Sequence, residues 1–232
     1  IMPIKEIGQI AKKHGVLFHT DAVQAIGKID FNVKDLDIDF LSLSGHKVYG
    51  PKGVGALYIK EGHHLCSLIT GGHQEKTLRA GTENNLGIIG FGEACRVMKA
   101  EMKSENEMIL KLRNKLEKGI FDNIPHSVLN GHPEKRLPGT LNVTFKFIEG
   151  ESILLRLDMA GIAVSTGSAC STGSLDPSHV IMALGVQPED AHGSIRFSLG
   201  RDNTEKEIDY VIEVLPGIIQ SLRDLSPLYS EK

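Results

Sequence analysis

The chain has 232 residues and a formal net charge of -3, a size that can bury one large core or two modest ones. No block of Lys and Arg stands out, which argues against a nucleic-acid-binding protein. No continuous apolar run approaches membrane-spanning length, so we expect a cytoplasmic protein without a membrane partner.

The first part of the chain alternates helical and extended patterns. Apolar residues at helical spacing predict a helix over residues 4–14. Short apolar runs predict strands, with a helical patch between the first two, and a longer helix follows them. These strands cover residues 16–21, 40–44 and 55–59, the patch covers 33–36, and the long helix covers 87–120. Strands separated by helical segments indicate a parallel-type α/β layer.

The second part of the chain begins within or after the long helix. Residues 141–147 alternate apolar and polar side chains, which predicts a half-buried antiparallel strand. The predicted elements that follow are a helix over 151–159, a strand over 162–165, a helix over 177–184, a strand over 195–199 and a closing helix over 205–222. Thr204, with Glu207 three places on, is a good N-cap for the last helix. We therefore predict two domains, residues 1–95 and 96–232.

The cysteines indicate neither disulfide bonds nor a zinc site. The chain has three, Cys66, Cys95 and Cys170, and this odd number without C-x-x-C spacing supports neither a disulfide framework nor a zinc site. His63-His64 precedes Cys66, but the spacing fits no common zinc pattern. We interpret this segment as a polar turn after a strand and predict no metal site.

A lysine follows the second predicted strand and precedes a glycine-rich turn. Lys47 lies in Ser44-Gly45-His46-Lys47, and Asp21 ends the preceding strand. The carboxyl ends of parallel strands are where α/β proteins bind ligands. Pyridoxal phosphate needs a lysine for covalent attachment, an acid to keep its pyridinium nitrogen protonated, and donors for its phosphate. Taken alone, Lys47 is also consistent with a surface lysine in a loop.

Several sequence blocks, in order along the whole chain, resemble one family. Ordered blocks are far more specific than one short motif. The blocks are His19-Thr20-Asp21-Ala22-Val23-Gln24, Ser44-Gly45-His46-Lys47, Gly71-Gly72-His73-Gln74-Glu75, Arg79-Ala80-Gly81-Thr82-Glu83-Asn84, Ser165-Thr166-Gly167-Ser168-Ala169-Cys170 and Ser194-Ile195-Arg196-Phe197-Ser198. The chain resembles cysteine desulfurases of the NifS/IscS type, which belong to the aspartate-aminotransferase-like, fold-type I pyridoxal phosphate enzymes.

The resemblance implies an α/β fold made of two parts. Residues 1–95 correspond to the latter part of a large, mainly parallel pyridoxal-phosphate-binding domain, and residues 96–232 to a smaller C-terminal α+β domain that carries a cysteine loop. Residues 1–8 look like the middle of a domain, so we expect the chain to be the C-terminal portion of a longer desulfurase. The family's glycine/threonine phosphate loop and its ring-stacking histidine are absent, and we expect this polypeptide alone to bind cofactor poorly and to be inactive.

The resemblance also implies which residues hold the cofactor. Asp21 corresponds to the aspartate that pairs with the pyridinium nitrogen, and Gln24 to the residue that donates to the phenolic oxygen. Ser44 and His46 correspond to donors for the phosphate, while Lys47 reaches the aldehyde. For Asp21, a helix N-cap after the strand is the alternative role.

Thr82 resembles a threonine that family members lend across a dimer interface to the partner's phosphate. This correspondence implies a homodimer with a shared active site. The alternative is a plain helix cap, since the following sequence looks like a helix start. His73, Lys76, Thr77 and Ala80 depart from the common family pattern near this region, so they bear on the Thr82 contact.

Cys170 corresponds to the family's sulfur acceptor. Small residues surround it, and we expect an accessible thiol on a mobile loop. Cys66 and Cys95 lie in apolar or helical surroundings and are expected to be packing cysteines. Arg196 corresponds to the arginine that grips the substrate α-carboxylate in a bidentate pair, whereas Arg201 is expected to be a surface or capping residue.

The implied reaction converts L-cysteine to L-alanine. Lys47 removes the Cα proton, and the Cys170 thiolate takes the sulfur as a persulfide for a sulfur-acceptor or iron-sulfur scaffold protein. Two alternatives stay open. One is another pyridoxal phosphate enzyme of this fold, a selenocysteine lyase or an aminotransferase-like protein. The other is a non-catalytic C-terminal fragment that acts as a partner-binding module.

Overall fold

The chain forms two compact units. A computed structural model describes residues 1–166 and 177–229, and its units are Ile1–Lys103 and Ser104–Lys232. The division falls inside one long helix, α2 (Asn85–Asn123). The sequence-based domain boundary after residue 95 stays a prediction. Across the described ranges, no helix is both long enough and apolar enough to cross a membrane.

The first unit contains a three-stranded sheet next to a short amphipathic helix. Its regular elements are α1 (Ile4–Lys13), β1 (His19–Asp21), β2 (Phe40–Ser44) and β3 (Gly55–Ile59), with 3-10 turns at Val33–Asp35, Gly45–Val48 and Gln74–Thr77. The strand order is β1-β2-β3. Strand β2 therefore lies in the middle and positions the segment that follows it.

The two strand pairs in this sheet run differently. Strand β1 is parallel to β2, as the predicted α/β layer requires. Strand β3 is antiparallel to β2, with Ser44 opposite Gly55. The connection after Ser44 is too short for the crossover that a parallel neighbour needs, so the chain returns as a hairpin. The α/β class is confirmed, and this sheet combines one parallel and one antiparallel pair.

A small apolar cluster supports one face of this sheet. Ala22, Ile38 and Leu41 are almost fully buried, and Phe18 and Leu43 pack against them. The alternation along β2 sends Leu41 and Leu43 to this face. The opposite face carries buried Phe40 at the start of β2 and polar side chains toward the carboxyl ends of both strands.

Asp39, at the start of β2, forms polar contacts with the segment before β1 and the segment after β3. Its Oδ2 accepts a hydrogen bond from the Phe18 N–H at 2.9 Å, and its Oδ1 lies 2.8 Å from His63 Nε2 and 3.5 Å from Lys60 Nζ. Burial alone raises the pKa of Asp39, but these hydrogen bonds and the nearby positive charges outweigh it, so its pKa lies below the usual value. The carboxylate form is thus favoured in the folded chain.

The second unit is built around a four-stranded antiparallel sheet. Its elements are β4 (Ser127–Leu129), β5 (Thr140–Phe145), α3 (Gly150–Met159), β6 (Ser165–Thr166), α4 (His179–Ala183), α5 (Pro188–Ala191), β7 (Ser194–Ser198) and α6 (Glu205–Asp224). The strand order is β4-β5-β7-β6, and every pairing is antiparallel.

One face of this sheet forms the larger core. Alternate residues of β5 and β7 pack against the later turns of α2 and against α3 and α6. The fully buried members include Leu141, Val143, Phe145, Ile153, Leu157, Ile195, Leu215 and Ile219. The α6 helix begins at the predicted cap, because the Thr204 hydroxyl accepts from the Glu207 N–H and the Glu207 carboxylate accepts from the Thr204 N–H. The predicted capping box is confirmed.

Candidate active site

Lys47 lies in a short 3-10 turn, Gly45–Val48, that directly follows β2. The Gly45 N–H donates to Val54 O at 2.9 Å, and the Gly50 N–H donates to Gly45 O at 2.9 Å. A Cβ at Gly50 would lie 2.9 Å from that same oxygen, so only glycine permits this close approach. Since both ends of the loop are joined by hydrogen bonds, Lys47 is held at the end of β2.

Polar side chains of β1 and β2 share the face that the apolar cluster leaves open. Residues two apart on a strand point to the same side, and Asp21 lies opposite Ser42 in the parallel register. His19 Nε2 and Ser42 Oγ share a hydrogen bond of 2.8 Å. This pair was not among the predicted site residues, although the alternation of the two strands places them together. The carboxyl ends of β1 and β2 thus present a polar surface.

Asp21 combines a local structural role with an accessible carboxylate. Its Oδ1 accepts from the Val23 N–H at 2.8 Å, which caps the turn after β1. The alternative of a capping role is therefore supported for this oxygen, while Oδ2 takes no partner in the described part of the chain. Gln24, on the same turn, accepts only a long contact of 3.5 Å from Lys28 Nζ. Both side chains are exposed, so both can reach a ligand.

Ser44 and His46 act as a pair beside the lysine. Ser44 Oγ and His46 Nδ1 share a hydrogen bond of 2.7 Å, and His46 is exposed while Lys47 is half-buried. This bond orients the imidazole and leaves Nε2 to meet a ligand. The loop consequently places a hydroxyl, an imidazole and an amine within four consecutive residues.

Thr82 lies in the irregular segment before α2 and is exposed. The first turn of the helix is capped by Asn84, whose Oδ1 accepts from the Gly87 N–H at 3.0 Å. The interpretation of Thr82 as a plain helix cap is therefore wrong. Just upstream, the Gly81 N–H donates to Gln74 Oε1 at 3.1 Å and Ala80 is buried, so this segment is tied to the preceding loop while Thr82 itself faces solvent.

Arg196 lies in the middle of β7, in the second unit. Ile195 and Phe197 on either side are buried, whereas Arg196 is exposed on the other face of the sheet. Its Nη2 donates to Ser165 Oγ on β6 at 3.3 Å, and Asn142 lies opposite it on β5. No carboxylate pairs with this guanidinium in the described ranges, so its donors other than the one bonded to Ser165 remain for an anionic ligand. Arg201 is half-buried and pairs instead with Glu105 at 2.7 Å.

The cysteines fall into three different settings. Cys170 lies outside the described residues. Cys66 is exposed, so its predicted packing role is wrong, because the apolar residues next to it, such as Leu65 and Leu68, are exposed as well. Cys95 is half-buried on α2, where burial raises the pKa of its thiol. His63 pairs with Asp39, and within the described ranges no three potential ligands cluster to hold a metal.

Comparison with known proteins decides the family. Residues 1–211 match aminotransferase class-V proteins. The chain belongs to this family. The cysteine desulfurase IscS of Clostridium botulinum strain Hall is 55% identical over 233 residues, and the NifS cysteine desulfurase of Azotobacter vinelandii is 50% identical over 230 residues. A solved structure of a NifS-like protein superposes with a TM-score of 0.86 at 39% identity, over 96% of this chain and 58% of the other.

These relatives are longer than the chain. The alignments cover 100% and 99% of this chain but only 59% and 57% of the C. botulinum and A. vinelandii proteins. The superposition on the NifS-like structure covers 96% of this chain and confirms the α/β architecture.

The residues at the ends of β1 and β2 fit pyridoxal phosphate. The donor set contains a half-buried amine at Lys47, an accessible carboxylate oxygen at Asp21, and the hydroxyl and imidazole of Ser44 and His46. These are the groups that a phosphorylated pyridine aldehyde needs for attachment, for its ring nitrogen and for its phosphate. Nothing in the first unit conflicts with that chemistry.

Proposed function

We propose that the protein containing this chain is a pyridoxal-phosphate-dependent cysteine desulfurase. The observation that carries the proposal is the hydrogen-bonded loop that holds Lys47 just after β2, whose parallel neighbour β1 ends in Asp21. The relatives that share half or more of its residues are named cysteine desulfurases. The substrate is L-cysteine, and the products are L-alanine and a sulfur atom held on the enzyme.

The residues of the first unit hold the cofactor. Lys47 would attach it, Asp21 Oδ2 would keep the ring nitrogen protonated, and Gln24 would donate to the phenolic oxygen. Ser44 and His46 would donate charge-assisted hydrogen bonds to the phosphate. When bound, pyridoxal phosphate would supply an electron sink for the substrate Cα. The Lys47 amine would be the base for the Cα proton.

The residues of the second unit handle the substrate and the sulfur. Arg196 binds the α-carboxylate of L-cysteine through two parallel hydrogen bonds, for which an unpaired, exposed guanidinium is well suited. The Cys170 thiolate forms a bond to the substrate sulfur while the carbon–sulfur bond breaks. The electron pair of that bond stays with the substrate Cβ, which takes up a proton, and Lys47 returns the proton to Cα, which gives alanine. Cys170 keeps the sulfur as a persulfide.

The partners follow from the same proposal. The enzyme is a homodimer in which Thr82 of each subunit donates to the phosphate in the other, because Thr82 is exposed and is not used as the helix cap. The persulfide passes to a sulfur acceptor or to an iron-sulfur scaffold protein in the cytoplasm. We expect the 232 residues alone to be inactive, because they span only 59% of the length of the C. botulinum relative.

The test compares cysteine variants in the holoenzyme that contains this chain. Replacing Cys170→Ser abolishes alanine formation from L-cysteine in the presence of a reductant. The matched control Cys66→Ser removes the exposed thiol of the first unit and leaves the rate unchanged. If the Cys170→Ser enzyme still released sulfide from cysteine at the full rate, the alternative of a lyase or an aminotransferase-like enzyme would replace the desulfurase.

A further inference from the structure

His19 and Ser42 form a hydrogen-bonded pair on the face of the first sheet that carries the candidate site. His19 Nε2 and Ser42 Oγ are 2.8 Å apart. In the strand register, however, His19 lies opposite Phe40, whereas Ser42 lies opposite Asp21. The imidazole therefore reaches diagonally along β2, toward the carboxyl ends of the strands, to meet the hydroxyl.

The pair is adjacent to Asp21 in two ways. His19 and Asp21 are two residues apart on β1, so their side chains point to the same side of the sheet. Ser42 is the residue of β2 directly opposite Asp21, and its carbonyl oxygen accepts from the Ala22 N–H at 3.0 Å. The Ser42 hydroxyl is thus both the hydrogen-bond partner of His19 and the cross-strand neighbour of Asp21.

Asp21 has one carboxylate oxygen in use and one that is open. Its Oδ1 accepts from the Val23 N–H at 2.8 Å, and Oδ2 has no hydrogen-bond partner within residues 1–166 and 177–229. A carboxylate oxygen can accept more than one hydrogen bond, so Oδ2 can accept from a neighbouring hydroxyl and from a protonated ring nitrogen at the same time. The sheet can therefore hold Asp21 without blocking its contact with a cofactor.

We propose that His19 and Ser42 are positioning residues for Asp21, an inference that rests on the proposed function. His19 Nε2–H donates to Ser42 Oγ, which leaves the Ser42 O–H to donate to Asp21 Oδ2 when pyridoxal phosphate is bound. This hydrogen bond favours the carboxylate form and holds Oδ2 in one orientation toward the ring nitrogen. His19 is exposed and Ser42 is half-buried, so the pair contributes little to the core of the first unit.

Cofactor binding to the protein that contains this chain measures the effect without turnover. Pyridoxal phosphate is titrated into the cofactor-free protein, and the absorbance of the bound form gives an apparent dissociation constant. Ser42→Ala removes the donor to Asp21 and should raise this constant by about three- to tenfold, the range that one hydrogen bond provides. Ser42→Thr keeps a hydroxyl and should restore most of the affinity. Equal weakening by Ala and Thr would overturn the hydrogen-bonding role.

Two further variants place the effect in the pair. His19→Leu removes the group that orients the Ser42 hydroxyl, and it should weaken binding to a similar extent as Ser42→Ala. The matched control is Ser67→Ala, because the Ser67 hydroxyl donates to Ile69 O at 2.7 Å on the segment after β3. This control should leave the dissociation constant unchanged. Tight binding in His19→Leu, or a loss in Ser67→Ala as large as in Ser42→Ala, would contradict the assignment.

A double-mutant cycle with Asp21 separates positioning from a general loss of structure. In Asp21→Asn the ring nitrogen no longer meets a carboxylate, so adding Ser42→Ala should have no further effect on the dissociation constant. An undiminished effect of Ser42→Ala in that background would refute the inference.

The parent protein distinguishes this inference from the proposed function. If the parent fails to bind pyridoxal phosphate at Lys47, the proposed function is wrong and the positioning role is wrong with it. If the parent binds the cofactor and Ser42→Ala binds it equally well, the positioning role alone is overturned.

Discussion

Asp21 and Ser42 lie directly opposite each other in the parallel register of β1 and β2. This pairing brings the carboxylate of Asp21 to the sheet edge from which Ser44 leads into the Lys47 loop. It also aligns the capped turn after β1 with the hairpin after β2. Strand register and two hydrogen-bonded loops thus determine where Asp21 and Lys47 lie in the first unit.

Asp21→Asn separates the two roles of this side chain. The Asn side-chain oxygen can still accept from the Val23 N–H, so the free energy of unfolding should change little. The neutral amide cannot keep the cofactor ring nitrogen protonated, and we expect kcat for alanine formation in the holoenzyme to fall by about 100-fold or more. Asp21→Ala is the contrast, because losing the cap also costs about 1 kcal/mol of stability. Full activity of Asp21→Asn would rule out the ring-nitrogen role.

Arg196→Lys tests the carboxylate site. A lysine keeps the charge but cannot form two parallel hydrogen bonds. Losing one charge-assisted hydrogen bond costs about 1.5–3 kcal/mol, so we expect KM for L-cysteine to rise by about 10- to 150-fold in steady-state kinetics. Arg201→Lys is the matched control, since its pair with Glu105 survives the change and KM stays constant. An unchanged KM in Arg196→Lys would place the substrate carboxylate elsewhere.

Asp39 predicts how the first unit responds to acid. Its pKa is lower in the folded chain than in the unfolded chain, so its contribution to stability is fully present above the unfolded value of about 3.9. That contribution is lost as the pH falls through the lowered folded value. Urea unfolding between about pH 3 and pH 6 should therefore show a steeper acid loss for the parent than for Asp39→Asn. Parallel curves for the two proteins would exclude this linkage.

Thr204 predicts the stability of α6. Thr204→Ala removes the hydroxyl that accepts from the Glu207 N–H, and we expect a loss of about 1 kcal/mol in the free energy of unfolding. Thr204→Ser keeps a hydroxyl and should retain most of that stability. Urea titration of both variants measures the difference. Equal destabilisation by Ala and Ser would mean that the capping box does not stabilise the helix.

The sequence predicts elements best where the periodicity is long or the bounds are chemically marked. Strands β2 and β3 match their predicted bounds, and α6 begins after the predicted cap. Strand β4 and helix α5 were missed because three and four residues are too few for a periodic pattern. Strand β6 was predicted at residues 162–165 but comprises Ser165–Thr166, since pairing with β7 sets which residues of this segment join the sheet.

In the candidate site, too, the sequence predicts some features and not others. Motif order along the chain identifies Asp21, Ser44, His46 and Lys47, because their chemistry is local to two strand ends. The hydrogen bond between His19 and Ser42 depends on strand register, which a single sequence does not provide. For Thr82, the helix-start pattern offers a cap as the alternative role, and the structure gives that cap to Asn84 instead.

Covalent attachment at Lys47 tests the central claim most directly. The protein that contains this chain is incubated with pyridoxal phosphate, reduced with borohydride and digested, and the modified peptide is identified by mass spectrometry. The account predicts the cofactor on the peptide with Lys47, and its loss in Lys47→Ala but not in Lys52→Ala. Modification spread over exposed lysines, or attachment that persists in Lys47→Ala, would contradict it.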